Sequence, residues 1–208
     1  MKEELKEGLM LKYKYAKDML ETEINILIND YVTKEGYNPV EHIKSRLKSE
    51  KSILDKLERK GLNNTVEDIK NHIHDIIGLR IVVSFLNDVY DVVNIIKSSK
   101  NIIVKDEKDY IETPKSTGYI SYHLIVKVPI YLIDKVEYVD AEIQIRTMAM
   151  DFWASIDHKI QYKFPNEIPE DVKEKMYENS LIINELDNRM MKLNETINKY
   201  SNFLWNFK

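Results

Sequence analysis

The clearest strand signal in the sequence is EYVDAEIQIR, residues 137–146, in which apolar and polar side chains alternate. Successive side chains of a strand point to opposite faces of the sheet. One face therefore carries apolar residues, and the other carries four polar or ionisable ones: Asp140, Glu142, Gln144 and Arg146. Such a polar face is either an ordinary solvated surface or the floor of a binding cleft.

The preceding stretch favours the cleft. The sequence ISYHLIVKVPIYL, residues 120–132, predicts another strand, and Tyr119, Ser121 and His123 alternate there in the same way. Two neighbouring strands would then present Ser, His, Glu, Gln and Arg side chains from one face. We therefore expect a cleft whose floor is polar and ionisable.

The other elements can be placed around these two strands. Two β-rich segments, LRIVVSF (79–85) and NIIVKD (101–106), predict further strands. Helical spacing of apolar residues predicts helices over 43–60, 65–72, 88–100 and 149–162, and Gly61 is a typical helix stop. Long helices are predicted over 1–35 and 170–200, with a break at 164–169. The pattern indicates an α+β fold of about four strands with long helices at both ends.

The two terminal helices are long for a small protein, and each carries a broad apolar stripe. Either both helices pack on their own sheet, or they also form a subunit interface. The stripes consist of Leu9, Tyr13, Ala16, Leu20, Ile24, Leu27, Ile28 and Tyr31 in the first helix, and of Val172, Met176, Leu181, Ile182, Leu186, Met190, Leu193 and Ile197 in the last.

The composition excludes several classes of protein. The 208 residues include no cysteine, which excludes a disulfide scaffold, a thiol nucleophile and a Cys-ligated metal site. No apolar run reaches the roughly 20 residues that span a membrane, so we expect a cytoplasmic protein without a membrane partner. The net charge of −4 argues against bulk nucleic acid as a ligand.

The local charge differs from the average. Residues 42–60 carry seven Lys and Arg residues against three acidic ones. In a helix over 43–60, one face would present Lys48, Ser52, Lys56 and Arg59, with Arg46 in the turn before it. This face is either a plain surface or a cradle for a polyphosphate, because lysine and arginine suit phosphate oxygens.

Two further segments carry candidate site residues. Asp75 and Arg80 flank Gly78 at the start of a strand, where they form either a structural ion pair or, for Asp75, a Mg²⁺ ligand beside the phosphates. The loop KDYIETPKSTGY, residues 108–119, offers lysines for a second phosphate group and a tyrosine that can stack on a base. Together these features indicate phosphoryl transfer between two nucleotides, although the GxxxxGK[ST] motif and the protein-kinase motifs are absent from the sequence.

Four motifs in this order resemble the synthetase domain of RelA/SpoT-type alarmone synthetases. They are Arg46-x-Lys48-x-x-x-Ser52-x-x-x-Lys56, Asp75-x-x-Gly78-x-Arg80, the segment from Lys108 to His123, and EIQIRT at 142–147. The resemblance covers residues 42–163 and implies a small synthetase without hydrolase or regulatory domains, spanning 1–208 as one domain. It implies a nucleotidyltransferase-like core, with a mixed sheet of four to five strands flanked by helices.

The resemblance also implies an activity and residue roles. The activity is transfer of pyrophosphate from ATP to the 3′-hydroxyl of GTP or GDP, with Mg²⁺ as cofactor. Asp75 would bind the metal, and Glu142 would bind it and act as the base. The ATP-binding residues would be Arg46 and Arg80 at the adenine and Lys48, Ser52, Lys56 and Arg59 at the phosphates; the GTP-binding residues would be Lys108, Lys115, Tyr119, His123 and Gln144.

Assembly and regulation follow from the same resemblance. It implies a homotetramer formed through the terminal helices, with alarmone product or RNA as a regulator. His42, Ser45 and Asp151 stand where regulated relatives have an aromatic residue, Gly and Asn, which predicts weak or absent activation by product. Two rival functions stay open: a pyrophosphokinase acting on the tRNA 3′ end, and a non-catalytic nucleotide- or RNA-binding module.

Overall fold

The computed structural model describes residues 3–164 and 167–205. None of the helices in these ranges contains an apolar stretch of the length that a bilayer requires. The elements in chain order are α1 (Glu3–Glu35), β1 (Val40–Leu47), α2 (Glu50–Arg59), α3 (Val66–His72), β2 (Ile77–Val83), α4 (Leu86–Lys97), β3 (Ile103–Asp109), β4 (Tyr122–Tyr131), β5 (Val136–Thr147), α5 (Met148–Lys163) and α6 (Glu170–Trp205).

The strands form one mixed sheet in the order β1-β2-β5-β4-β3. β2 and β5 run parallel, while the other three pairs are antiparallel. The long strand β5 lies at the centre, where it connects the β1–β2 half of the sheet to the β4–β3 half. The predicted α+β fold with a mixed sheet is confirmed.

The apolar face of the sheet carries the core. Leu79, Ile81, Leu124, Ile143 and Ile145 are almost fully buried on it. α1 and α4 cover this face, and the burial of their apolar stripes stabilises the fold by roughly 25 cal/mol per Å² of apolar surface. Because the core lies on this side, the opposite face of the sheet is left for polar side chains.

The predicted helix over 43–60 is wrong in its first part. Residues 40–47 form the edge strand β1, which pairs with β2, and the helix begins only after Ser49, whose hydroxyl accepts a hydrogen bond from the Ser52 amide. Ile43 and Leu47 are four residues apart, a spacing that suits a helix and one face of a strand alike. Pairing with β2 decides in favour of the strand, so Arg46 lies in β1 and not in a turn before a helix.

The two terminal helices pack differently. In α1, six predicted stripe residues are buried against the sheet: Leu9, Tyr13, Ala16, Leu20, Ile24 and Ile28. In α6, the predicted stripe faces outward, and its exposed members are Leu181, Ile182, Leu186, Met190, Leu193 and Ile197. The inward side of α6 packs on α5 and α4 and includes buried Ser180 and Asp187. The prediction that both stripes pack on the chain's own sheet is therefore correct for α1 and wrong for α6.

Parts of two predicted elements lie outside the described residues. The predicted first helix includes residues 1 and 2, and the predicted break at 164–169 includes residues 165 and 166. Within the described part, α5 ends at Lys163 and α6 begins at Glu170, as the prolines in this segment predict.

Candidate active site

A row of polar side chains crosses the open face of the sheet. Strand register aligns one residue from each strand in the order Lys44, Arg80, Gln144, His123 and Lys108. The adjacent row contains Arg46, Gly78 and Glu142. The polar face predicted from the alternation in residues 137–146 is thus continuous over all five strands.

A cavity of about 250 Å³ opens above the β1, β2 and β5 part of this face. Its lining includes Arg46, Asp75, Arg80, Glu142 and Gln144. Arg46 lies over Gly78, with its Cγ and Nε 3.6 Å from the point where a Cβ would stand. The two predicted adenine-binding arginines therefore border the same cavity as the two predicted metal-binding carboxylates.

Asp75 contacts two lysines of the basic segment, the name used here for residues 42–60. Its Oδ2 lies 2.5 Å from Lys48 Nζ and 2.8 Å from Lys56 Nζ. Burial raises the pKa of the Asp75 carboxyl, but the two lysines outweigh burial and hold that pKa below its usual value. The other oxygen, Oδ1, is buried without a hydrogen-bond partner. An ionised carboxylate with one unused oxygen has the chemistry of a divalent-cation ligand.

A second cavity, of about 430 Å³, lies beside the first, between the end of β1, α2 and α5. Its lining includes Arg46, Lys48, Ser52, Arg59 and His158. Ser52 and Arg59 share a face of α2, seven residues apart, as predicted. Lys48 reaches the same space from the segment before the helix. His158 comes from α5, and its place beside the basic segment had no signal in the sequence.

Tyr119 and His123 form the wall on the other side of Glu142. The Tyr119 hydroxyl lies 2.8 Å from His123 Nε2, and His123 Nδ1 lies 3.3 Å from Glu142 Oε1. Lys115 Nζ is 4.8 Å from the centre of the Tyr119 ring, a cation–π distance. Lys108 is directly opposite His123 on β3, but it extends into solvent, 4.0 Å from Asp106. The acceptor residues predicted from the sequence thus line one side of the cleft, with Lys108 at its edge.

Glu142 lies between the cavity that contains Asp75 and the wall formed by Tyr119 and His123. Burial raises the pKa of its carboxyl, but interactions with His123 and Gln144 outweigh burial, and the resulting pKa is below the usual value. Gln144 Nε2 donates to Glu142 Oε2 at 2.7 Å. The carboxylate is therefore ionised at neutral pH and oriented by a partner on each oxygen.

Arg146 also belongs to the candidate site, although the sequence analysis gave it no role there. It is 4% exposed, and its Nη2 donates to the Tyr119 hydroxyl and to Gln144 Oε1, both at 2.6 Å. These bonds close a ring of polar contacts through Arg146, Tyr119, His123, Glu142 and Gln144. Alternation in EYVDAEIQIR had placed Arg146 on the face of Glu142, so the signal was present in the sequence.

The chain is similar to characterised proteins over most of its length. Residues 45–167 match the family described as "Region found in RelA / SpoT proteins". The chain is 47% identical over 188 residues to GTP pyrophosphokinase YwaC of Bacillus subtilis (strain 168), and the match covers 90% of each protein.

Two solved structures have the same architecture. Small alarmone synthetase 2 from Bacillus subtilis superposes with a TM-score of 0.83 at 46% identity, covering 91% of this chain and 98% of that one. Small alarmone synthetase 1 from Bacillus subtilis, bound to its product pppGpp, superposes with a TM-score of 0.85 at 33% identity, covering 94% of this chain and 99% of that one. The chain therefore belongs to the RelA/SpoT family and has the fold of its small alarmone synthetases.

Proposed function

We propose that the chain is a GTP pyrophosphokinase that transfers the pyrophosphate of ATP to the 3′-hydroxyl of GTP or GDP, releasing AMP and an alarmone. The observation that carries this proposal is the position of Glu142. An ionised carboxylate lies between a basic cleft that contains Asp75 and a wall of Tyr119 and His123. In-line transfer between two nucleotides needs the acceptor hydroxyl to contact the donor phosphorus, with a base within hydrogen-bond reach of that hydroxyl, and Glu142 lies where the two sides of the cleft meet.

The donor nucleotide occupies the cavities on the β1 and β2 side. Arg46 and Arg80 hold the adenine between their planar guanidinium groups, which suit stacking on aromatic rings. Lys48 and Lys56, which contact Asp75 in the free protein, move to the phosphate oxygens together with Ser52 and Arg59. Clustered cations neutralise the charge of the transferred group.

The acceptor nucleotide occupies the side formed by β4 and the loop before it. Tyr119 stacks on the guanine after Lys115 leaves its ring face. Lys115 and Lys108 then bind the acceptor phosphates, while His123 and Gln144 line the site beside Glu142. This arrangement directs the 3′-hydroxyl of the ribose toward the Glu142 carboxylate.

Asp75 and Glu142 fit a magnesium ion. Both border one cavity, both are ionised, and Asp75 Oδ1 is buried without a partner. Two carboxylates on one cavity suit Mg²⁺, because this ion takes one or two carboxylates and completes its shell with phosphates and water. The bound ion would neutralise charge on the ATP phosphates.

Glu142 performs the proton transfer. It accepts the proton of the 3′-hydroxyl while the oxygen forms a bond to the β-phosphorus of ATP and the bond from that phosphorus to the α–β bridging oxygen breaks. Its low pKa makes it a weak base, which is sufficient for a reaction in which the proton leaves as the new P–O bond forms. The pairs with His123 and Gln144 fix the carboxylate for this step.

The test is Glu142→Gln. Product formation from ATP and GTP, measured by chromatography, should fall at least about a hundredfold, because general-base catalysis contributes that much. Binding of α,β-methylene ATP and GDP should change little, since the amide has the same shape. The matched control is Glu137→Gln on the same strand, where the carboxylate pairs with Lys12 and Lys135 far from the cleft.

Two outcomes would contradict the proposal. Full turnover in Glu142→Gln would remove Glu142 from the base role. Product formation with tRNA and ATP, but not with GTP, would replace the acceptor and support a tRNA 3′-end pyrophosphokinase.

We also propose that the chain works in the cytoplasm as a homotetramer assembled through its terminal helices, and that alarmone product activates it weakly or not at all, because His42, Ser45 and Asp151 replace the residues of regulated relatives. The exposed apolar stripe of α6 supports the assembly, because a row of exposed Leu, Ile and Met residues is typical of an interface. Leu186→Glu should lower the mass measured by sedimentation. Ile133→Glu, an equally apolar exposed position at the β4–β5 hairpin, should not.

A further inference from the structure

We propose that Asp151 is a positioning residue that makes the binding of donor and acceptor nucleotides interdependent. This inference rests on the proposed function, because it takes Arg80 as part of the ATP site and Tyr119 as part of the guanine site. It goes beyond that function by assigning a connection between the two sites.

The geometry places one carboxylate oxygen between two guanidinium groups. Asp151 Oδ1 lies 3.0 Å from Arg80 Nη1 and 3.3 Å from Arg146 Nη1. Thr147 caps α5 directly after β5, so that Asp151 in the first turn of the helix lies beside the end of the sheet. Its side chain is 18% exposed, and that of Arg146 only 5%. The pair is therefore largely shielded from water, which strengthens its electrostatic interactions.

On the donor side, Asp151 opposes a concentration of positive charge. Burial lowers the pKa of Arg80, and the neighbouring charges of Arg146 and Arg46 lower it further, while Asp151 acts in the opposite direction. Arg80 Nε is buried without a hydrogen-bond partner. The ion pair with Asp151 thus keeps the Arg80 guanidinium beside the adenine position against the repulsion of Arg146, while the unpartnered Nε leaves it conformational freedom that a bound nucleotide removes.

On the acceptor side, the same oxygen holds Arg146. Arg146 donates to the Tyr119 hydroxyl and to Gln144, and these residues lead to the two oxygens of Glu142, through His123 in one case and directly in the other. A change in the position of the Arg146 guanidinium must therefore change the orientation of the guanine-stacking ring and of the base.

Sharing of one carboxylate between two sites has a thermodynamic consequence. The first nucleotide to bind orders its arginine, and through Asp151 it also orders the other arginine. The second nucleotide then binds to a site that has already lost part of its conformational freedom, so each ligand raises the affinity for the other by the same factor.

The experiment measures the coupling factor, by which one nucleotide raises the affinity for the other, with two probes that cannot react. GDP binding is titrated calorimetrically with and without saturating α,β-methylene ATP in the presence of Mg²⁺. In the unmodified chain, the ATP analogue should tighten GDP binding by about tenfold, within the usual range of coupling between sites. In Asp151→Asn, which keeps the shape and removes the charge, the factor should fall below about two.

Two variants make the result specific. Asp151→Glu restores the charge and should recover at least half of the factor. Asp157→Asn lies on the same helix, where the carboxylate accepts a hydrogen bond from Gln161, and should leave the factor unchanged. Circular dichroism of each variant checks that it is folded, and Asp151→Ser replaces Asp151→Asn if the latter does not fold.

Two outcomes would overturn the inference. One is a coupling factor in Asp151→Asn that equals the factor of the unmodified chain, even if both affinities fall, which shows a purely structural role. The other is an unmodified chain without coupling. Absence of alarmone synthesis and of nucleotide binding in the unmodified chain would instead contradict the proposed function.

Discussion

The first and last helices have similar lengths, 33 and 36 residues, and similar apolar periodicity, but they face opposite ways. The stripe of α1 is buried in the core, where Leu20 and Ile24 are fully inaccessible. The stripe of α6 is exposed, and polar residues such as Ser180 and Asp187 face the protein instead. Periodicity thus establishes that a helix has an apolar side, but it does not establish what this side contacts.

The inward side of α6 supports the site rather than the core. Ser180 lies against Gly118, one residue before Tyr119, and the Trp153 indole donates to the Met176 carbonyl. Asp187 accepts a hydrogen bond of 2.6 Å from Thr147, the residue that follows Arg146. α1 therefore stabilises the fold, whereas α6 holds the loop before β4 and the end of β5 in place.

The largest difference between α1 and α6 should appear in how much a substitution in each helix lowers the free energy of unfolding. Leu20→Ala in α1 should lower the free energy of unfolding by about 3 kcal/mol, because it removes a fully buried side chain and leaves a cavity. Leu193→Ala in α6, where the side chain is half exposed, should cost less than about 0.5 kcal/mol. Urea denaturation at low protein concentration measures both. Equal losses would mean that the α6 stripe is buried within one chain.

The next effect concerns the contact of α6 with the loop before β4, which carries Gly118 and Tyr119. Gly118 has a φ of +83°, and a Cβ there would lie 2.1 Å from Ser180 Oγ. Gly118→Ala should therefore raise KM for GTP by about tenfold, equivalent to about 1.4 kcal/mol, with KM for ATP unchanged.

Gly36 after α1 provides the matched control. Its φ is +69°, but nothing lies within 4 Å of the Cβ position. Gly36→Ala should cost about 1 kcal/mol of stability from backbone strain without changing KM for GTP. If both substitutions had the same effect on KM, contact with α6 would not position the loop.

The smallest effect is a pH dependence in α6. Burial raises the pKa of Asp187, and the bond from Thr147 offsets this only in part. Since the folded pKa is higher than the unfolded one, the Asp187 contribution to stability is fully present at low pH and is lost as pH rises through the folded pKa. Asp187→Asn does not ionise and can still accept the bond from Thr147.

The stability of Asp187→Asn relative to the unmodified chain should therefore increase as the pH rises from about 4 to about 8. Urea denaturation at a series of pH values measures the difference. A stability difference between the two proteins that stays constant or decreases with pH would show that the packing of α6 beside Thr147 does not desolvate Asp187.

Much of the site was predictable because its residues lie on regular elements. Alternation in β5 correctly placed Glu142, Gln144 and Arg146 on one face. The separate alternation in residues 119–123 predicted that Ser121 and His123 share that face. The RelA/SpoT family was predicted from four ordered motifs, and the match over residues 45–167 confirms it. Local spacing is sufficient when the side chains of one strand form the site.

Other features depend on residues far apart in the sequence. The first part of the helix predicted over 43–60 is the strand β1. Pairing with β2 satisfies its backbone N–H and C=O groups, and the spacing of apolar residues within the segment does not reveal this pairing. The ring around Glu142 joins two segments, residues 119–123 and 142–146, and Asp151 reaches Arg80 from a helix 71 residues later.

The sequence by itself determined the polar face of the sheet, the apolar stripe of α1 and the family, since each follows from spacing within one segment or from ordered motifs. Only the tertiary structure decided that β1 is a strand, that the α6 stripe faces outward, and that one carboxylate serves two arginines. The physical reason is that burial and ion pairing are properties of a position in space, and residues distant in the chain create them.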